Sequence, residues 1–167
     1  VLFARGPGIW ITIRDGETAA FATKRALPGA GHLRWISSVI RLNVALERVG
    51  DYAVTIARES MQLSTPPRGK LPRDLAHMAV EAQRLLKEAI AAFIESNADR
   101  AAATIPMTER IEGTMDDIYG ELIDASENRT AREIVATFVV FSLLKRTADQ
   151  AKNICEQTIF AVVGERK

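Results

Sequence analysis

The 167 residues carry 22 Lys and Arg against 21 Asp and Glu and are 47% hydrophobic, enough apolar material for a real core in one domain or two small ones. This near balance, without a run of like charges, gives no electrostatic basis for a nucleic-acid partner or a membrane-surface patch. The single cysteine, Cys155, excludes an intramolecular disulfide and a multi-thiolate metal site and fits a reducing, cytoplasmic setting. No stretch approaches the roughly eighteen apolar residues of a bilayer span, and the start at Val1 lacks the basic-then-apolar pattern of a secretory signal.

In chain order, Gly6-Pro7-Gly8 is a turn signal, and Ile9-Trp10-Ile11-Thr12-Ile13 has the composition of a short strand closed by Asp15-Gly16. A lone strand is only marginally stable without a partner. A short helix is predicted from Glu17 to Ala26, stopped by Leu27-Pro28-Gly29-Ala30-Gly31. From His32 to Leu63 the apolar period is helical without a break, a rod longer than about 40 Å. Ser64-Thr65-Pro66-Pro67-Arg68-Gly69-Lys70 is the convincing linker.

Three more helices follow. The first, from Arg73 to Ser96, repeats Leu75, Met78, Ala82, Leu85, Ala89 and Phe93 at three- and four-residue spacing. The second, from Ala98 to Asp124, turns Ile111, Met115, Ile118 and Leu122 inward, and Pro106 is expected to kink it by removing a donor and crowding the preceding turn. The last, from Thr130 to Val163, places Asp149, Asn153 and Glu156 on one face with Val135, Phe138 and Phe160. Three amphipathic helices joined by short polar loops make an antiparallel three-helix bundle, so the fold class is all-α.

Two of these helices repeat one pattern. Leu46-Glu47-Arg48-Val49-Gly50-Asp51-Tyr52-Ala53 and Leu144-Lys145-Arg146-Thr147-Ala148-Asp149-Gln150-Ala151 lie about a hundred residues apart and place acids at matched positions. Glu47 and Asp51 fall one turn apart on a face shared with Ile36, Ile40, Val44 and Val54, opposite the stripe Leu42, Leu46, Val49, Ala53 and Ile56. The helix is thus apolar on two sides.

The Glu47-Arg48-Val49-Gly50-Asp51-Tyr52-Ala53 segment, with Arg146 to Glu156, resembles the twin signature helices of the PhoU family of phosphate-uptake regulators. Lys24-Arg25-Ala26-Leu27-Pro28 with His32-Leu33-Arg34 resembles the entry to the first signature helix, and Ile111-Glu112 with Tyr119 the acidic helix of the second repeat. The resemblance spans residues 19–163 and implies tandem three-helix bundles. By it, residues 1–66 form a first bundle incomplete at its N-terminal side and residues 67–167 a second. It also implies a cytoplasmic regulator that acts with the phosphate ABC transporter and a sensor histidine kinase, peripheral to the membrane only through those partners. Carboxylate clusters holding metal are implied too, with Glu47, Asp51, Glu112 and Asp149 in the matching positions. Two departures weaken the second cluster: Lys145 stands where the family has an acid, and Thr108, beside Glu109, stands where another is expected.

Oxygen ligands without a nearby His or Cys suit Fe, Mn, Mg or Ca and not zinc. Against the metal stand plain intrahelical pairs, Arg48 with Asp51 and Lys145 with Asp149. What favours metal at Glu47 and Asp51 is the apolar surroundings, because an unpaired buried carboxylate is costly; the first site is expected to fill before the second because it keeps both acids, whereas Lys145 puts a positive charge where a cation needs an oxygen. Glu112 sits in an acidic stretch with Asp116 and Asp117 that also fits a wet helix face. Cys155 reads as a small core residue, Trp10 and Trp35 as packing anchors, and neither His32 nor His77 has a patterned partner. No phosphate-binding Gly loop or nucleophile elbow occurs, so no phosphatase or kinase activity is expected. The alternatives to a regulator are a metal-dependent enzyme using Glu47 and Asp51, or a structural dimerisation module. Because the downstream helices need their seams for one another, the long helix is expected to form a homodimer or higher oligomer, with Leu42, Leu46, Val49 and Ile56 buried between chains.

Overall fold

The computed structural model describes residues 3–6, 9–12, 29–62, 70–124 and 130–164, with backbone alone at 3–6, 9–12, 112–117, 119, 121 and 123–124. The strand expected at Ile9 is present as β2 (Ile9–Thr12), and it has an antiparallel partner the pattern did not reveal, β1 (Phe3–Gly6), with Phe3 opposite Thr12 and Gly6 opposite Ile9. Four helices follow: α1 (Ala30–Ser60), α2 (Leu71–Ile94), α3 (Ala98–Asp124) and α4 (Ala131–Val163). The expected helix at residues 17–26 lies outside the described residues, as does the linker before Lys70.

The helix ends follow from local chemistry. α1 starts two residues earlier than its apolar period, at Ala30, so Gly31 is helical and only Gly29 of that breaker remains as the cap. α2 likewise starts early, because Pro72 in a first turn has no intrahelical acceptor to lose. In α3, Pro106 stays inside the helix, leaving the carbonyl of Ala102 without its usual donor. α4 opens on a capping box: the Thr130 hydroxyl accepts from the Glu133 amide at 3.3 Å while the Thr130 amide donates to the Glu133 carboxylate at 3.1 Å. It closes on Gly164 at φ 89°, a left-handed cap that glycine adopts without strain. Thr130→Ala removes the cap acceptor, and an urea titration is expected to show a loss of about 1 kcal/mol; no loss would mean that water replaces the hydroxyl fully.

α4 is the centre of the molecule. Fourteen of its 33 residues are buried, against four of the 31 in α1, and it packs against α1, α2 and α3. A helix with three neighbours must be apolar on three sides, and the threonines that interrupt this surface are satisfied locally. The hydroxyls of Thr137, Thr147 and Thr158 donate to the carbonyls of Glu133, Leu143 and Ile154, four residues earlier, at 2.8–2.9 Å. Arg41 donates to Gln157 at 3.2 Å and Arg132 to Gln62 at 3.3 Å, so α1 runs antiparallel to α4. Trp35 of α1 stacks on Phe93 at the end of α2, with ring centroids 4.9 Å apart, the packing role expected of it.

This arrangement corrects the expected covering of α1. Leu42 and Ala45 are buried within one chain, at 4% and 5% exposure, and Leu46 and Ile56 pack against the same core. The seam expected between chains is covered by α4, which has a third apolar side that the pattern of α2, α3 and α4 as a closed bundle did not allow for. The opposite side of α1 is open, with Ile40 at 54% and Val54 at 60% exposure.

Candidate carboxylate sites

Leu42 and Ala45 fix the roll of α1 against α4. At about 100° per residue, Glu47 and Asp51 then lie on the far side of the helix, and both are exposed. The desolvation that favoured a metal there is therefore absent: these carboxylates share their face with apolar residues, but water reaches both. Among the described residues neither makes an ion pair, so the pairing of Arg48 with Asp51 that stood as the alternative to metal is not formed. The Thr55 hydroxyl donates at 3.0 Å to the backbone carbonyl of Asp51 and leaves its carboxylate alone. Two carboxylates one turn apart supply two of the six or more oxygens that a hard cation takes, and among the described residues no group of three His, Cys, Asp or Glu is close enough to hold an ion.

The second site is built differently. Asp149 is half-buried on α4 and accepts from Lys145 at 3.5 Å. Glu109, across the α3–α4 seam, pairs with Lys152 at 3.2 Å. Thr108 is buried and spends its hydroxyl on the Ile105 carbonyl at 2.7 Å. Ammonium groups thus stand against both carboxylates described there, a donor set that does not fit a cation. The side chain of Glu112, the fourth candidate ligand, lies outside the described residues. Glu47 and Asp51 are not brought together with Asp149, since they lie on the side of α1 away from α4.

Cys155 is fully buried in the α4 core, and burial, with a smaller effect of the Glu156 carboxylate, pushes its thiol up to about 12. Such a thiol is neither a nucleophile nor a metal ligand at neutral pH. Within α2, Arg84 holds Glu81 one turn before it with contacts down to 2.8 Å, and that hydrogen bond keeps the Glu81 carboxyl below its ordinary range. Arg100 ties α3 back to Glu88 at 2.7 Å and to Glu95 at 2.8 Å.

The structure also brings together residues that the carboxylate pattern passed over. Arg41 and Arg48 of α1 meet Gln150, Asn153 and Gln157 of α4 around a cleft of about 170 Å³. The signal was present: Arg34, Arg41 and Arg48 recur every seven residues, two helical turns, and so occupy one flank of α1.

With this geometry in hand, comparison with known proteins decides the family, because residues 75–158, just over half of the chain, match the PhoU domain. The chain belongs to the PhoU domain family. It is 27% identical to the phosphate-specific transport system accessory protein PhoU homolog of Clostridium acetobutylicum over 139 residues, covering 82% of this chain and 64% of that protein. The homolog of the same name from Synechocystis is 29% identical over 154 residues, covering 92% and 68%. The chain thus spans about two thirds of the length of these PhoU relatives. The crystal structure of PhoU from Pseudomonas aeruginosa superimposes with a TM-score of 0.77 at 29% identity, covering 84% of this chain and 69% of that one. The phosphate transport system regulatory protein PhoU from Streptococcus pneumoniae shares the fold, with a TM-score of 0.76 at 24% identity. The PhoU-like all-α fold expected from the twin signature helices is therefore the fold observed, and no described helix is long and apolar enough to cross a membrane.

Proposed function

We propose that this chain is a cytoplasmic regulator of phosphate transport and phosphate-responsive signalling, a helical adaptor without enzymatic activity. It would contact the phosphate ABC transporter and a sensor histidine kinase and restrain uptake. The observation that carries this is the match of most of the chain to proteins whose name is phosphate-specific transport system accessory protein. The outer face of α1 supports it, since Ile40, Val44 and Val54 stand exposed beside the exposed Glu47 and Asp51, a mixed apolar and acidic surface suited to a protein partner. Co-purification with the transporter's ATP-hydrolysing subunit and with the kinase tests it. Capture is expected to fall with Val44→Asp and with Glu47→Lys plus Asp51→Lys; capture of neither partner, or capture indifferent to both variants, rejects the adaptor role.

A hard cation would associate with Glu47 and Asp51 before Asp149, because Lys145 and Lys152 already neutralise the second acidic face. Two exposed carboxylates hold such an ion only weakly, so any Fe, Mn, Mg or Ca that elemental analysis finds in protein purified without chelator should be substoichiometric and lost in Glu47→Ala plus Asp51→Ala. Metal kept by that variant and lost on Asp149→Ala would reverse the order of the sites.

A further inference from the structure

We propose that the α1–α4 cleft binds a small tetrahedral oxyanion of the inorganic phosphate type, which bridges the two helices. The cleft brings together two guanidinium groups from α1, Arg41 and Arg48, and three side-chain amides from α4, Gln150, Asn153 and Gln157, with no carboxylate in its lining. Leu42, Ala45 and Ile154 form its apolar floor, and the two guanidinium groups at the rim, with no carboxylate to balance them, select an anion over a cation or a neutral ligand.

The bonds already made leave donors unused. Arg41 gives one Nη to the Gln157 Oε1 at 3.2 Å, which leaves the rest of its fork and orients the Gln157 Nε2 as a further donor. Asn153 Nδ2 lies 3.5 Å from Gln150 Oε1, leaving the Gln150 amide nitrogen as a donor although that residue is only 6% exposed. Arg48 makes no side-chain hydrogen bond or ion pair among the described residues. Guanidinium forks match the oxygen pairs of phosphate bidentately. The nearest acid on this part of α4, Asp149, is engaged by Lys145, while Glu156, next to Gln157 in sequence, is turned away by about 100°. At about 170 Å³ the cleft holds about six waters at roughly 30 Å³ each, room for one tetrahedral ion with residual water. Asn153 Oδ1 is an acceptor for the proton that monohydrogen phosphate carries and sulfate lacks.

An ion held by Arg41 and Arg48 on one side and by Gln150 and Gln157 on the other would fasten α1 to α4, so binding should stabilise the fold. This is an equilibrium property of the chain alone and does not depend on the transport-regulator role. The test is calorimetric titration with inorganic phosphate at constant ionic strength, balanced with chloride, together with thermal unfolding across the same concentrations. Saturable binding is expected, with a rise in Tm. The affinity should fall at least tenfold in Arg48→Gln, which breaks no bond described in the protein, and again in Gln157→Glu, which places a carboxylate in the lining. Arg110→Gln, in the separate cleft between α2 and α3, should leave the affinity unchanged. Absence of saturable binding overturns the assignment, as does binding that survives both cleft variants in folded protein, or that is lost in Arg110→Gln instead.

Discussion

Phe141→Ala is expected to lower the unfolding free energy by about 3–5 kcal/mol, the range for deleting a fully buried aromatic ring from a core that closes only partly around the gap. Phe141 has no exposed surface and stands on α4, the helix against which all three others pack. For a domain whose whole stability is of order 5–15 kcal/mol, this is a large fraction, and the urea midpoint should move accordingly at unchanged slope. Leu42→Ala, on the α1 side of the same core, should cost about 2–5 kcal/mol. Its loss should be the same at low and high protein concentration, because Leu42 is buried against its own chain. A loss that grows on dilution would place Leu42 between chains instead, and a Phe141→Ala loss below about 1 kcal/mol would show that α4 is not the packing centre.

Most of the fold was legible because the apolar period of each helix is long and its stops are chemical. Pro72 and Gly29 shifted the starts by only two residues, as residues tolerated at a first turn or cap can. Tertiary pairing was not legible. A three- and four-residue spacing says which face of α4 is apolar, but not how many helices share it; Phe141 and Leu143 point about 160° apart around one axis, and both are buried. That is why α1 reads as unpartnered in the sequence and is covered in the structure. The burial of the carboxylates was misjudged for a related reason: the apolar character of Ile40, Val44 and Val54 implied burial for Glu47 and Asp51, which are exposed, as apolar residues on folded proteins commonly are too. At the second site Lys145 was informative directly, because a cation one turn before Asp149 is a pairing that needs no tertiary context. Arg41 and Arg48 meet Gln150, Asn153 and Gln157 only through the antiparallel docking of α1 on α4, so heptad spacing could mark one wall of that cleft but not the other.

Raising the pH above about 8.5 is expected to remove stability in part through Cys155. Burial pushes this thiol up to about 12 in the folded chain, whereas the unfolded thiol ionises near about 8.5. The folded state therefore holds the proton more tightly, the stabilisation is complete below the unfolded value, and it is lost as pH climbs toward the folded one, at about 1.4 kcal/mol per unit. Lysine and tyrosine titrate in the same window, so the measurement is a difference: between pH 8 and pH 11 the native sequence should lose about 3 kcal/mol more than Cys155→Ala, measured by urea unfolding. At neutral pH the folded thiol should react with a thiol reagent only as fast as the core opens, and the rate should rise with urea. Equal pH slopes for the two proteins, or rapid reaction of the native chain at pH 7 without denaturant, would mean that the thiolate is accessible. Cys155 is buried in one apolar cluster with Ile154 and Ile159, which withholds hydration from a thiolate, and a core sulfur in that setting packs as a small hydrophobe.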